Sequence, residues 1–294
     1  MVHSRGHSGS RWRRVLNLKR PGALALSLAV CIQLVGMAGA SPVGATIIMS
    51  PPYADVISGP MWGGMAQGFP NSVSRGASLD AVQYLGNMGY HSFDDYNNTP
   101  IGYAMAAGWG RSDAVWIAVG HGGPGQITIE NKATGVDPGL SGAPGVAALI
   151  ADPGVSVSPN YKVGGTVSMW GLASGGYRGM KVMVFFGCNT GSDSAGDTYR
   201  YHGNLLKEAV GDLGVHSAIG FTNEIQFPQA TDWMDGFMLS FANGSSISTA
   251  SNSAYNRVWW DYFPLSVGGN NWGFDGTVIW GDLTTTLKPA GYAS

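Results

Sequence analysis

The chain has 294 residues, with 16 Lys or Arg against 18 Asp or Glu and a formal net charge of −2. That balance, with only 12% charged residues, argues against a nucleic-acid-binding or anionic-membrane-binding surface. Its 46 glycines and 10 tryptophans suit an exported protein with long ordered loops.

The first forty residues read as a signal peptide. Arg11, Arg13, Arg14, Lys19 and Arg20 form a basic start, residues 23–35 an apolar run, and Ala38-Gly39-Ala40 a small-residue cleavage site. Val43-Gly44-Ala45 is a second such site. Arg13-Arg14-Val15-Leu16 also resembles a twin-arginine signal, which leaves the export route open. Cleavage after Ala40 leaves residues 41–294, long enough for one large domain, with no stretch apolar for long enough to cross a membrane. Cys31 leaves with the signal and Cys188 becomes the lone thiol, so no intramolecular disulfide can form. In an exported protein such a thiol is a liability unless it is buried or used.

In chain order, residues 46–49 are a short strand candidate. A helix is expected over residues 77–88, where Ala77, Ala81, Leu85 and Met88 form a stripe, with Ser78 as an N-cap for its later part and Gly89 as its stop. Residues 101–107, after Pro100, suggest a second helix. Asp113–Val119 is an apolar strand that ends in Gly120-His121-Gly122-Gly123-Pro124-Gly125, and residues 126–129 alternate as a further strand. Residues 131–170 are a Gly/Pro-rich insert with a weak helical patch at 146–150 and a strand candidate at 166–169. Val182–Phe186 is five apolar residues in a row, the pattern of a strand buried on both faces; Gly187-Cys188-Asn189-Thr190-Gly191 follows it. Leu205, Leu206, Ala209, Val210 and Leu213 mark an amphipathic helix, 215–221 a strand, 230–242 and 246–260 helices, and 277–280 a late strand. Strands alternating with helices predict a three-layer α/β/α sandwich around a mostly parallel sheet, with a C-terminal extension from about residue 255.

Two strands thus end alike: a glycine, one reactive type of side chain, then a glycine-rich turn. If they are parallel neighbours, His121 and Cys188 share one sheet edge, as a Cys/His pair needs, because the thiolate is the nucleophile and an imidazole must help to form it. The N–H groups of Gly122 and Cys188 are candidates for an oxyanion hole.

These residues resemble the caspase–gingipain–legumain group of cysteine peptidases. The Cys188-Asn189-Thr190-Gly191 turn, the helix and the strand 215–221 after it are most similar to the CHAT branch of that group. The resemblance covers roughly residues 77–254. It implies Cys188 as nucleophile, His121 as general acid/base, Gly122 as an oxyanion donor, peptide or protein substrates and no cofactor. It also makes the loop after the strand 215–221 part of the substrate pocket, where a buried Glu224, or Asp193 beside the nucleophile, would favour a basic P1 side chain. The spacing of His121 and Cys188, 67 residues, exceeds the roughly 50 of caspases, and the insert accommodates the difference. The caspase nucleophile signature is absent, so specificity for aspartate is not implied.

The competing reading is an inactive, secreted binding protein on the same fold. His121-Gly122-Gly123-Pro124-Gly125 also resembles the oxyanion loop of α/β-hydrolases, but the Gly-Xaa-Ser-Xaa-Gly elbow that such enzymes need is missing. Zinc-type Cys and His spacings are missing too.

Overall fold

The computed structural model describes residues 53–58, 70–96, 113–130, 146–153, 155–156, 163–172, 175–194, 203–225, 227–262 and 274–287, and among these described residues it has ten strands and four α-helices. The expected signal segment 1–40, the strand at 46–49 and the helix at 101–107 lie outside the described residues. In chain order the elements are β1 (Tyr53–Ser58), α1 (Pro70–Asn87), β2 (His91–Tyr96), β3 (Asp113–Val119), β4 (His121–Gly123), β5 (Gln126–Glu130), β6 (Val146–Ile150) and β7 (Val163–Ser168). Then follow β8 (Val182–Phe186), α2 (Leu205–Gly211), β9 (Ser217–Phe221), α3 (Phe227–Ala242), α4 (Ile247–Tyr262) and β10 (Thr277–Gly281).

Side chains on successive strand residues point to opposite faces, so a strand buried on both sides must be apolar throughout. β8 meets this condition throughout and β3 does so from Ala114 on, and every residue of both is buried. They lie side by side at the centre of a six-stranded sheet with the order β10-β9-β8-β3-β1-β2. All neighbours in it are parallel except β10, which joins β9 antiparallel.

The alternation divides the core into two clusters. Val115, Ile117, Val119, Val182, Val184, Phe186, Ile219 and Phe221 face one side, under α1, α3 and α4. Trp116, Ala118, Met183, Phe185 and Ala218 face the other, under α2 and a second sheet. That second sheet has the order β4-β5-β6-β7 and shares the outer layer with α2. The three-layer architecture around a mostly parallel sheet is therefore present, with a small sheet in place of some of the expected helices.

Three local expectations need correction. Residues 146–150 are a strand rather than a helical patch, because Val-Ala-Ala-Leu-Ile pairs with β5 on one side and β7 on the other. The first helix begins at Pro70, a residue suited to a first helical turn, well before 77. Ser78 is fully buried inside it and is no N-cap.

The helix layer also carries a partly buried ionic group. Asp235 on α3 pairs with Arg257 on α4 at 2.5 Å and accepts a hydrogen bond from the Tyr84 hydroxyl of α1 at 2.7 Å. Asp80 of α1 lies beside them. Burial, then repulsion by Asp235, raises its carboxyl from 3.8 to about 6. The folded state therefore holds this proton more tightly than the unfolded chain does. Asp80 costs no stability at pH values below 3.8, and the cost grows as the pH rises to about 6. We predict that Asp80→Asn stabilises the fold at about pH 8 by on the order of 1 kcal/mol, the figure being reduced for solvent screening. Near pH 3 it should change little. Thermal melts of both proteins across pH check this, and an equal gain at both ends of the range would contradict it.

Candidate active site

The ladder of β3 and β8 runs to Val119 opposite Phe186, and the residues two positions past that pair follow it at the carboxyl edge of the sheet. Those residues are His121 and Cys188. The ladder is extended by one more bond, from the Gly120 N–H to the Phe186 carbonyl at 3.1 Å. Val119 and Phe186 face the same core cluster, and Cys188 packs against that cluster too. β3 then leaves the main sheet: Gly120 separates it from β4, which pairs with β5 in the small sheet. His121 thus sits at the junction of the two sheets, buried at 9% exposure, with its carbonyl accepting from the Thr128 hydroxyl at 3.1 Å.

The two turns touch through their backbones. A methyl group on Gly122 would stand 2.2 Å from the Cys188 carbonyl oxygen, 2.8 Å from the Cys188 nitrogen and 2.6 Å from the Thr190 methyl carbon. One on Gly187 would stand 2.7 Å from the Gly120 carbonyl oxygen. Only hydrogen fits at either place, which is the physical reason for glycine on each side of the contact.

The turn after β8 is fixed from below. The buried Thr190 hydroxyl lies 2.7 Å from the Phe185 carbonyl and 3.0 Å from that of Gly187, and accepts from the Phe221 N–H at 3.3 Å. The Asn189 N–H donates to the Asn223 carbonyl at 3.0 Å and the Gly191 N–H to that of Phe221 at 2.8 Å. These bonds tie the turn to residues 221–225, the loop that leaves β9. Beneath both, Phe186 and Phe221 meet edge to face at 5.3 Å, and Phe221 meets Trp233 at 5.1 Å. Such aromatic pairs add about 0.5–1.5 kcal/mol each beyond the area that they bury.

The Cys188 thiol is half-buried and accepts a hydrogen bond from the Ile225 N–H at 3.3 Å. Burial pushes the thiol up from its ordinary range; the Ile225 N–H offsets part of this, and the negative charge of Glu224 adds to it. Glu224 itself is exposed, not buried as the pocket reading supposed. Asp193 is engaged elsewhere: its carboxylate takes the Lys207 ammonium at 2.8 Å and the Asn204 side-chain amide at 2.9 Å. The hydrogen bond from Lys207 is the main reason that its carboxyl lies below the usual range. Asn204 caps α2 through the N–H groups of Leu206 and Lys207, so Asp193 clamps the turn to that helix. Among the described residues, no group of three or more His, Cys, Asp or Glu is placed to hold a metal ion.

Sequence reasoning missed two contributors to this site, Thr190 as an anchor and Ile225 as a donor to sulfur. The hydroxyl of a Cys-Asn-Thr-Gly turn was a readable signal for the first. A backbone N–H carries no sequence signal, so the second had none.

No protein-family model matches the chain, and no curated protein sequence does. Solved structures do. One is the crystal structure of gingipain R, an Arg-specific cysteine proteinase, with a TM-score of 0.51 and 9% identity over 80% of this chain and 47% of that one. Another is the complex of the Porphyromonas gingivalis RgpB pro- and mature domains, with a TM-score of 0.51 and 12% identity over 81% of this chain and 49% of that one. The chain spans about half the length of these structures. The likeness is one of fold, the caspase-like α/β sandwich.

We predict that Gly122→Ala lowers stability by about 1–3 kcal/mol, because its methyl group must displace the Cys188 peptide. Chemical denaturation measures this, and an unchanged midpoint would contradict the backbone contact.

Proposed function

We propose that the chain is an exported cysteine endopeptidase in which Cys188 and His121 act as a dyad. The observation that carries the reading is the register of β3 against β8, with Gly122 set against the Cys188 peptide. In this mechanism the Cys188 thiol gives its proton to His121 and the sulfur attacks the scissile carbonyl carbon. The N–H groups of Gly122 and Cys188 receive the oxyanion. His121 returns the proton to the leaving amine as the C–N bond breaks, which leaves a thioester on Cys188. Water, giving a proton to His121, attacks the thioester, releases the acid product and restores the thiol.

The order of the Cys188-Asn189-Thr190-Gly191 turn, α2 and β9 supports a place near the CHAT branch. The basic start and apolar run of residues 1–40 support export, and no helix among the described residues is long and apolar enough to cross a membrane. For specificity we assign Glu224 as the acid that meets a basic P1 side chain, because it lies on the loop whose next residue touches the sulfur. Asp193 is assigned the structural clamp, because Lys207 already holds it. The arginine specificity stated for gingipain R agrees in charge.

One observation favours a second reading, an inactive binding protein on the same fold: burial raises the thiol and so disfavours a resting thiolate. Hydrolysis decides between them. On a peptide library, the full chain should cut after Arg or Lys, and Cys188→Ala and His121→Ala should each lower kcat by about 1,000-fold or more with the fold intact. Absence of cleavage, or cleavage that survives Cys188→Ala, would contradict the dyad.

A further inference from the structure

The residue directly after Cys188 holds a backbone conformation that its side chain resists. Asn189 has φ 55°, and it is the one non-glycine residue with a positive φ among the described residues. In that left-handed conformation the β-carbon crowds the carbonyl oxygen that follows it. Glycine escapes the cost, and asparagine bears it better than most other residues. Such strain persists only where the surroundings over-determine it.

Here they do so from both sides. Upstream, the Gly122 α-carbon lies too close to the Cys188 nitrogen and carbonyl for a methyl group to fit between. The Asn189 N–H is held by the Asn223 carbonyl at 3.0 Å, and the Ile225 N–H holds the Cys188 sulfur at 3.3 Å. Downstream, the Thr190 hydroxyl bonds the Phe185 carbonyl at 2.7 Å, and the Gly191 N–H bonds that of Phe221 at 2.8 Å. The Ser192 carbonyl takes the Gly125 N–H at 3.2 Å. A methyl group on Gly220 would stand 2.9 Å from the Thr190 hydroxyl oxygen and 3.1 Å from the Gly191 nitrogen, so the turn has no room to move towards β9. Peptide units are planar, so the two dihedral angles of Asn189 join these two fixed parts.

We propose that Asn189 is a positioning residue: its left-handed backbone keeps the Cys188 peptide against Gly122, with the Cys188 N–H where the oxyanion forms. This rests on the peptidase reading and adds to it a residue that acts through its neighbour. A side chain that refuses the left-handed conformation passes the strain to one of the two parts. Thr190 is fully buried and tied to two strands, whereas Cys188 is half-buried, so the Cys188 peptide is the part that yields. Its movement carries with it the proposed oxyanion donor and the α-carbon that bears the sulfur. Misplacement by about 1 Å is enough to cost about 100-fold in rate.

The test compares Asn189→Gly, Asn189→Ala and Asn189→Val in the full chain. One readout is kcat and KM on a fluorogenic arginyl peptide amide. The other is the Gly122 amide resonance in isotope-labelled protein, since Gly122 is remote from the substitution in sequence and touches the Cys188 peptide. Asn189→Gly should keep kcat within about threefold of the parent, Asn189→Ala should lower it about five- to tenfold and Asn189→Val about 100-fold, with KM little changed. The Gly122 resonance should move in the same order, while those of β10 stay in place. If Asn189→Val does not fold, the contrast between Asn189→Ala and Asn189→Gly carries the test. Equal kcat in Asn189→Gly and Asn189→Ala would overturn the proposal, whether both match the parent or both fall. If the parent cuts no peptide, the peptidase reading is removed and the Gly122 resonance decides the positioning by itself. Ordered shifts then support it, and an unmoved resonance rejects it.

Discussion

The contact between the Gly122 α-carbon and the Cys188 peptide is the constraint on which the site depends. Two buried strands in parallel register bring two turns to one edge, and the turns close on each other only because glycine stands on both sides of the contact. With a side chain at either place, the backbones would separate and His121 would be carried away from the cysteine. The rest of the site holds this contact in place. Phe186 and Phe221 anchor the strand ends in one aromatic cluster, and the Thr190 hydroxyl joins β8 to β9 above them. Packing thus sets the positions of the two turns, and on the proposed peptidase reading this is the preorganisation that charge stabilisation in a transition state requires.

The same packing has an electrostatic cost. A thiol pressed against a hydrophobic cluster loses hydration, and its neutral form gains. The Ile225 N–H returns part of that loss, whereas Glu224 deepens it.

The parts of the fold legible in the sequence were those fixed by burial. β8 is apolar in every position and β3 in all but Asp113, and short runs of this kind that end in glycine fit a doubly covered strand. The phase of α3 was readable from Trp233, Phe237 and Phe241, all fully buried. β2, with the sequence His-Ser-Phe-Asp-Asp-Tyr, was not readable: it is an edge strand, and edges tolerate polar residues. β6 was misread because Val-Ala-Ala-Leu-Ile satisfies helix and strand alike, and only its pairing with β5 and β7 selects the strand. At the site, the types of residue suggested Cys188 and His121, and the alike strand ends suggested that their two turns meet, as they do at the Gly122 contact. Asp193 and Glu224 were equivalent as loop acids until Lys207 was seen to hold one of them.

The most direct test of the Cys188–His121 site is the crystal structure of the chain trapped with a peptidyl chloromethyl ketone ending in arginine. The account predicts a thioether bond to Cys188 and the arginine side chain at Glu224. It also predicts the inhibitor oxygen about 2.7–3.1 Å from the N–H groups of Gly122 and Cys188. Modification of another residue, or an oxygen turned away from both N–H groups, would contradict it.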